Sequence, residues 1–166
     1  LKKNKNFGCK IEYSVEKTPL GTGGAIKKAV RNLVDKSFIV INGDVVTNIN
    51  LKKILKNPNT IAAIELKTKF GTMQIKNNKI LKFNEKIDVE NIWMNPGLYH
   101  LSSDIIKILP NKGSLEADVF PKLVKMKSLY TVKFKNVVWH SIDSFKDIEL
   151  CDEEINSKKH VKYFEY

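Results

Sequence analysis

The sequence predicts an α/β fold built around a doubly wound sheet. Three observations carry that expectation. Residues 38–41 are continuously apolar, as strands buried on both faces of a parallel sheet are, and residues 60–66 read as another buried strand. Residues 22–34 place Ile26, Ala29, Val30, Leu33 and Val34 on one stripe at helical spacing. With a short strand at 11–15 and a short helix at 51–55 stopped by Asn57-Pro58, the first part reads β-α-β-α-β.

The middle changes character. Residues 72–75 and 80–83 flank Lys76-Asn77-Asn78-Lys79, a hairpin turn signal. Residues 92–101 form a further strand, broken at Asn95-Pro96-Gly97. Ser103 caps a short helix that ends before Pro110. A second helix over 115–126 buries Val119, Phe120, Leu123 and Val124, with Pro121 in its first turns, where it costs least. Residues 129–134 and 137–139 are strand-like. Ser144-Phe145-Lys146-Asp147 reads as a capping box opening a last helix, with Phe145, Ile148 and Ile155 on its apolar side.

The bulk properties narrow the function. A chain of 166 residues, 42% hydrophobic, suits one domain with a real core. No apolar run approaches the roughly 20 residues that span a bilayer, and the basic start at 1–6 leads into no apolar leader. The net charge of +11 comes from lysines spread along the whole chain, without an Arg-rich block or interleaved aromatics. That pattern reads as a solvated surface favouring phosphorylated substrates, and not as a nucleic-acid groove. Cys9 and Cys151 fit neither a metal-ligand spacing nor a disulfide framework, so a reducing cytoplasm is the expected compartment.

Two stretches carry most of the chemistry. Pro19-Leu20-Gly21-Thr22-Gly23-Gly24 is a Gly-rich turn opening a helix, where bare backbone can touch a base or a phosphate and helix N–H groups are free. It is not a P-loop, because no Gly-Lys-Ser/Thr follows. Glu16, just before it, could accept two hydrogen bonds from guanine; an ordinary surface Glu is an equal reading. Asp44 follows Asn42-Gly43 at the end of the 38–41 strand, where ligands sit in open α/β sheets. Gly43 gives room beside it. Glu85-Lys86 offers a carboxylate for sugar hydroxyls and an ammonium for a phosphate. Asn95 and Gly97 could bond a polyol or form a bulge. Asp143, just past the 137–139 strand, could share one Mg²⁺ with Asp44. His140 is better read as packed or exposed than as a base.

Six stretches line up, in order, with one family: Glu16-x-x-Pro19-Leu20-Gly21-Thr22-Gly23-Gly24-Ala25, Asn42-Gly43-Asp44, Glu85-Lys86, Asn95-x-Gly97-Leu98-Tyr99, Glu116-x-Asp118-Val119-Phe120-Pro121, and residues 139–147. On these the chain resembles the sugar-phosphate nucleotidylyltransferases, or NDP-sugar pyrophosphorylases. It looks most like their mannose-1-phosphate and manno-heptose-1-phosphate guanylyltransferases, because Tyr13-Ser14-x-Glu16 precedes the Gly-rich turn.

The resemblance implies a Rossmann-like, glycosyltransferase-A type fold. The sheet is then mixed and mostly parallel, flanked by helices, and residues 1–166 form a single nucleotidyltransferase domain whose N-terminal part is absent. It implies a Mg²⁺-dependent reaction of an NTP, GTP favoured, with a sugar 1-phosphate. Asp44 and Asp143 then hold the metal, and Asp44, Lys86 and Asp143 are the catalytic set. Glu16, Pro19, Leu20, Gly21, Thr22 and Gly43 bind the nucleotide. Glu85, Lys86, Asn95 and Gly97 bind the sugar phosphate. No nucleic acid or membrane partner is implied, and a homo-oligomer is compatible with it.

The chain also departs from the family pattern. The family's Gly-rich loop with its Arg and Lys should precede Leu1, and without it the chain as given is expected to be inactive. Ile87 follows Glu85-Lys86 where the family has Pro. Ser141 stands at the Asp of Trp-x-Asp-x-Gly-Thr, whereas Trp139-x-x-Ile142-Asp143-Ser144 matches the cytidylyltransferase branch, which puts the metal role on Asp143. A thymidylyl-, uridylyl- or cytidylyltransferase, or a non-catalytic nucleotide-sugar-binding regulatory subunit, are the alternatives.

Overall fold

The structure is a computed structural model that describes residues 9–66, 72–84 and 92–157. The chain forms two compact units, one of Leu1–Phe38 with Ser102–Leu129 and one of Ile39–Leu101 with Tyr130–Tyr166.

In the first unit, helix α1 spans Gly21–Ala29. A 3₁₀ turn runs over Ser103–Lys107, and a π turn over Leu115–Val119 leads directly into α3, Phe120–Lys125, with Pro121 at its start. Its interior is Ile105, Leu109, Leu115, Val119, Phe120 and Leu123. Ser114 begins the π turn by accepting the N–H groups of Glu116 and Ala117. The cap of the 3₁₀ turn is Ser102, one residue before the expected Ser103, whose hydroxyl instead donates to the Asp35 carbonyl.

The other unit contains most of the main sheet. Its strands are β1 (Ser37–Ile41), β3 (Thr60–Glu65), β6 (Trp93–Met94), β7 (Leu98–Ser102) and β8 (Tyr130–Phe134), in the order β1-β7-β3-β6 with β8 on β3. The sheet is mixed. β3 runs parallel to β8 and antiparallel to β6 and β7. The last two are one interrupted strand: the pairing sum shifts by two residues across Asn95-Pro96-Gly97, so the expected break is a bulge. Beside the sheet, β2 (Val45–Thr47) pairs antiparallel with β9 (Trp139–Ser141), and β4 (Thr72–Lys76) forms a hairpin with β5 (Lys79–Asn84). Asn77 and Asn78 have φ of 49° and 59°, the left-handed pair that a tight hairpin turn requires. Helix α2, Leu51–Ile54, is capped by Asn50, and α4 spans Phe145–Asn156. The core joins Ile49, Ile54, Ala62, Ile64, Leu98 and Phe134, with Met94, Val132 and Trp139 against it.

Several expectations fail for a common reason: a periodic pattern does not by itself supply a partner. Residues 11–15 form no strand; Ile11, Tyr13 and Val15 are exposed on an unladdered extended segment. α1 stops at Ala29, five residues short, because its buried side is Gly23 and Gly24 in the first turn, whereas Val34 stays 96% exposed. β1 is not covered on both faces, since Ile39 and Ile41 are exposed. Val124 and Phe145 point outward, and α4 buries Cys151 instead. The strand expected at 137–139 is seated two residues later, at Trp139–Ser141.

Candidate active site

The Gly-rich turn is built by hydrogen bonds within its own unit. The Glu16 carboxylate accepts the Leu20 N–H at 2.8 Å and closes the approach to α1. Gly21 has φ +73°, and a Cβ there would lie 2.5 Å from the Gly113 carbonyl oxygen. That carbonyl accepts the N–H groups of Gly23 (2.9 Å) and Gly24 (3.4 Å), and Gly113 N–H returns a bond to the Leu20 carbonyl at 2.8 Å. The Thr22 hydroxyl donates to Glu116 at 2.6 Å and accepts the Leu115 N–H at 2.8 Å, while Asp118 accepts the Ser114 N–H at 2.8 Å.

Two separately read stretches are therefore one interlock. The bare sides of Gly21, Gly23 and Gly24 face residues 110–113 of the same chain, and the N–H groups of Gly23 and Gly24 are taken up by Gly113. Two of the N–H groups at the start of the helix are therefore used within the chain and are not open to a phosphate. What the turn leaves open is its outer surface: Glu16, Pro19, Gly21 and Thr22 are exposed and Leu20 is half-buried. Gly113, which the sequence reading passed over, is the hub, and its one signal was a Gly-Ser pair just before Glu116 and Asp118.

The second group of residues lies in the other unit. Asn42 N–H donates to the Gly97 carbonyl at 2.9 Å, and Gly97, at φ +75°, has its bare side 2.6 Å from the Asn42 side chain. Asn95 accepts the Gly97 N–H at 3.0 Å and donates to the Tyr99 hydroxyl at 2.9 Å. Trp139 Nε1 donates to the Pro96 carbonyl at 3.0 Å. The bulge at 95–97 thus ties the Asn42-Gly43-Asp44 turn to β9.

β2 and β9 bring the two candidate metal carboxylates to one end of a ladder. Val45 pairs with Ser141, and the next bond runs from Ile142 N–H to the Asp44 carbonyl at 2.8 Å. Asp143 is therefore one residue beyond the position opposite Asp44. At the other end, Thr47 and Asn48 bond Val138 through their side chains and stiffen the pair. The Ser141 hydroxyl donates to the Asp143 carboxylate at 3.0 Å. Asp147, the acid of the capping box, accepts the Asp143 N–H (3.2 Å) together with the N–H and hydroxyl of Ser144 (2.8 and 2.7 Å). Asp44 and Asp143 are both exposed, and nothing lies within 4 Å of where a Gly43 Cβ would stand.

These residues suit Mg²⁺. It takes one or two protein carboxylates and fills its octahedron with water and phosphate oxygens. Two exposed aspartates at one ladder end match that. Among the described residues no cluster of three or more His, Cys, Asp or Glu forms a closed metal cage. Glu85 and Lys86 lie outside the described residues.

A cavity of about 510 Å³ opens in the same unit, lined by Ile64, Met94, Phe134, Trp139, His140 and Glu154 among others. Ile64 and Phe134 sit near the carboxyl ends of the parallel pair β3 and β8, where open α/β sheets place ligands. His140 is half-buried there and held by Glu154, with Nε2 2.7 Å from the carboxylate. Neither cysteine forms a disulfide. Cys9 is exposed, and burial pushes the Cys151 thiol up, with the nearby Glu154 and Asp152 charges adding to the effect.

Residues 1–157 match the family model described as nucleotidyl transferase. The chain belongs to the nucleotidyl transferase family. One relative is the D-glycero-α-D-manno-heptose 1-phosphate guanylyltransferase of Aneurinibacillus thermoaerophilus, 30% identical over 97% of this chain and 71% of its own length. Another is the mannose-1-phosphate guanyltransferase 2 of Candida glabrata, 34% identical over 89% of this chain and 45% of the relative. Among solved structures, HddC from Yersinia pseudotuberculosis complexed with GMP-PN superposes with a TM-score of 0.59 at 27% identity, over 85% of this chain and 65% of that one. This nucleotidyl transferase chain thus spans about half to seven-tenths of the length of these proteins.

Proposed function

We propose that this chain carries the nucleotidyl-transfer site of an enzyme that makes a GDP-sugar and pyrophosphate from GTP and a mannose- or heptose-type sugar 1-phosphate. A phosphate oxygen of the sugar 1-phosphate attacks the α-phosphorus of GTP, the Pα–O–Pβ bond breaks, and pyrophosphate leaves with the electron pair. Such a displacement asks the protein for alignment and charge compensation more than covalent chemistry.

Each candidate residue has a part in this reading. Asp44 and Asp143 would hold Mg²⁺, which when bound supplies positive charge against the phosphates. Glu16 would accept the guanine N1–H and amino hydrogens while its backbone-facing oxygen keeps the turn closed. Pro19, Leu20, Gly21 and Thr22 would supply the surface on which the nucleotide rests, and Gly43 would let a phosphate or ribose approach the backbone. Lys86 would meet the sugar phosphate, with Glu85, Asn95 and Gly97 orienting the sugar. Asn95 already accepts the Gly97 N–H and donates one amide hydrogen to the Tyr99 hydroxyl, so its second amide hydrogen and the other lone pair of its oxygen are what it has for a sugar hydroxyl. The reading keeps the cytoplasm as the expected compartment. Among the described residues no helix is long and apolar enough to cross a membrane.

The observation that carries the reading is the open ladder end. Asp44 and Asp143 stand one residue out of register on two bonded strands, next to a glycine whose missing side chain no part of the protein needs. Pyrophosphate release by the full-length gene product with Mg²⁺, each NTP and a panel of sugar 1-phosphates tests it. Release with GTP and a mannose- or heptose-type sugar is expected. Preference for CTP, UTP or dTTP would overturn the guanine assignment, and nucleotide binding without any release would point to a regulatory subunit.

A further inference from the structure

The β4–β5 hairpin is amphipathic by register. Met73 pairs with Phe83 and Ile75 with Ile80, so four apolar side chains share one face. The intervening Lys76, Lys79 and Lys82 belong to the other face, and a bulge leaves Leu81 unpaired. Met73, Ile75, Ile80 and Phe83 are each more than half exposed. The hairpin, Thr72–Asn84, carries three lysines and no carboxylate. A two-stranded ribbon is marginal by itself in water, and a contiguous exposed apolar face marks an interaction surface.

Helix α4 is the complement in the same unit. It buries Cys151 on one side, while Phe145 (88% exposed) and Ile148 (50%) lie one turn apart on another. Its twelve residues hold five carboxylates and one lysine, in a chain whose net charge is +11. Glu149, Asp152 and Glu153 are exposed. An acidic helix with an apolar stripe and a basic ribbon with an apolar face match in both polarity and sign, and opposite fields favour encounter and fix orientation.

We propose that the chain self-associates by seating α4 of one copy, led by Phe145 and Ile148, on the Met73–Ile75–Ile80–Phe83 face of the hairpin of a second copy. The hairpin ammoniums, on stems long enough to reach around the ribbon edge, meet Glu149, Asp152 and Glu153. Two such contacts related by a two-fold axis close a dimer.

Sedimentation velocity of the chain across micromolar concentrations, at low and at high salt, tests this. A concentration-dependent dimer that weakens with salt is expected. Phe145→Ser and Phe83→Ser should each raise the dimer Kd at least ~10-fold, roughly what the loss of one central apolar anchor costs. Both side chains are exposed, so the melting temperature of each dilute variant should match the parent. Lys79→Glu with Lys82→Glu should also break the dimer, and adding Glu149→Lys with Asp152→Lys to the same chain should restore it. A chain that stays monomeric throughout, or an assembly indifferent to these substitutions, overturns the proposal.

Discussion

Gly43 and Gly97 separate what the fold needs from what a ligand needs. Gly97 has φ +75°, and an added Cβ would fall 2.6 Å from Cγ and Nδ2 of Asn42. Left-handed backbone costs a non-glycine residue about 1–2 kcal/mol, and forcing a methyl into filled space adds about 1–3 kcal/mol. At about 2–4 °C per kcal/mol for a chain of this size, Gly97→Ala should lower Tm by roughly 4–20 °C. Gly43 has no atom within 4 Å of its Cβ position. Gly43→Ala should therefore leave stability within about 0.5 kcal/mol of the parent. If the nucleotide rests against that backbone, the same methyl meets the ligand, and about 1–3 kcal/mol of overlap becomes roughly 5- to 150-fold in Kd. Differential scanning fluorimetry measures the first quantity and calorimetric titration with GDP the second. The reasoning fails if Gly43→Ala melts as early as Gly97→Ala, and the ligand assignment fails if Gly43→Ala binds GDP as tightly as the parent.

Other substitutions test separate parts of the account. Thr22→Val removes the acceptor of Leu115 N–H and the donor to Glu116, and should cost about 1–3 kcal/mol in urea denaturation; an unchanged midpoint would show the interlock to be dispensable. Asp44→Asn should sharply lower Mg²⁺-dependent turnover by the full-length gene product without moving Tm, and unchanged turnover would remove Asp44 from the site. Glu16→Gln keeps an acceptor for Leu20 N–H but not the second carboxylate oxygen, so it should weaken GTP relative to UTP while preserving the fold; an unaltered base preference would refute the guanine role. The Cys151 thiol is raised chiefly by burial, so its contribution to stability is fully present below the unfolded-state thiol pKa and is lost as pH rises through its folded pKa. Urea midpoints of the parent should fall over that alkaline range relative to Cys151→Ala, and parallel profiles would contradict this.

The sequence made the punctuation of this fold legible. The Asn77-Asn78 turn, the Asn95–Gly97 break, the Asn57-Pro58 stop and the Ser144–Asp147 capping box each act through neighbours a few residues away, so their chemistry is local. Burial of periodic segments was less legible, because a partner layer is not written in the segment itself: residues 11–15, the end of α1 and the outward Phe145 all show this. In the Gly-rich turn, the glycines were read as making room for a base or a phosphate, but their bare sides are filled from within the chain. Gly21, Gly23 and Gly24 are bare toward Pro110, Asn111 and Gly113, some ninety residues away, and a single sequence gives no sign of that contact. The ladder from Asp44 to Ile142 is likewise non-local, and it is what turns two distant aspartates into neighbours.

The most direct test of the central claim is product formation by the full-length gene product supplied with Mg²⁺, GTP and mannose 1-phosphate or a heptose 1-phosphate, read as GDP-sugar and pyrophosphate together. Equimolar appearance of both, abolished by Asp44→Asn and by Asp143→Asn in a protein that still melts normally, is the predicted result. Turnover that survives both substitutions, or a folded protein that binds GTP and never releases pyrophosphate with any sugar 1-phosphate, would contradict it.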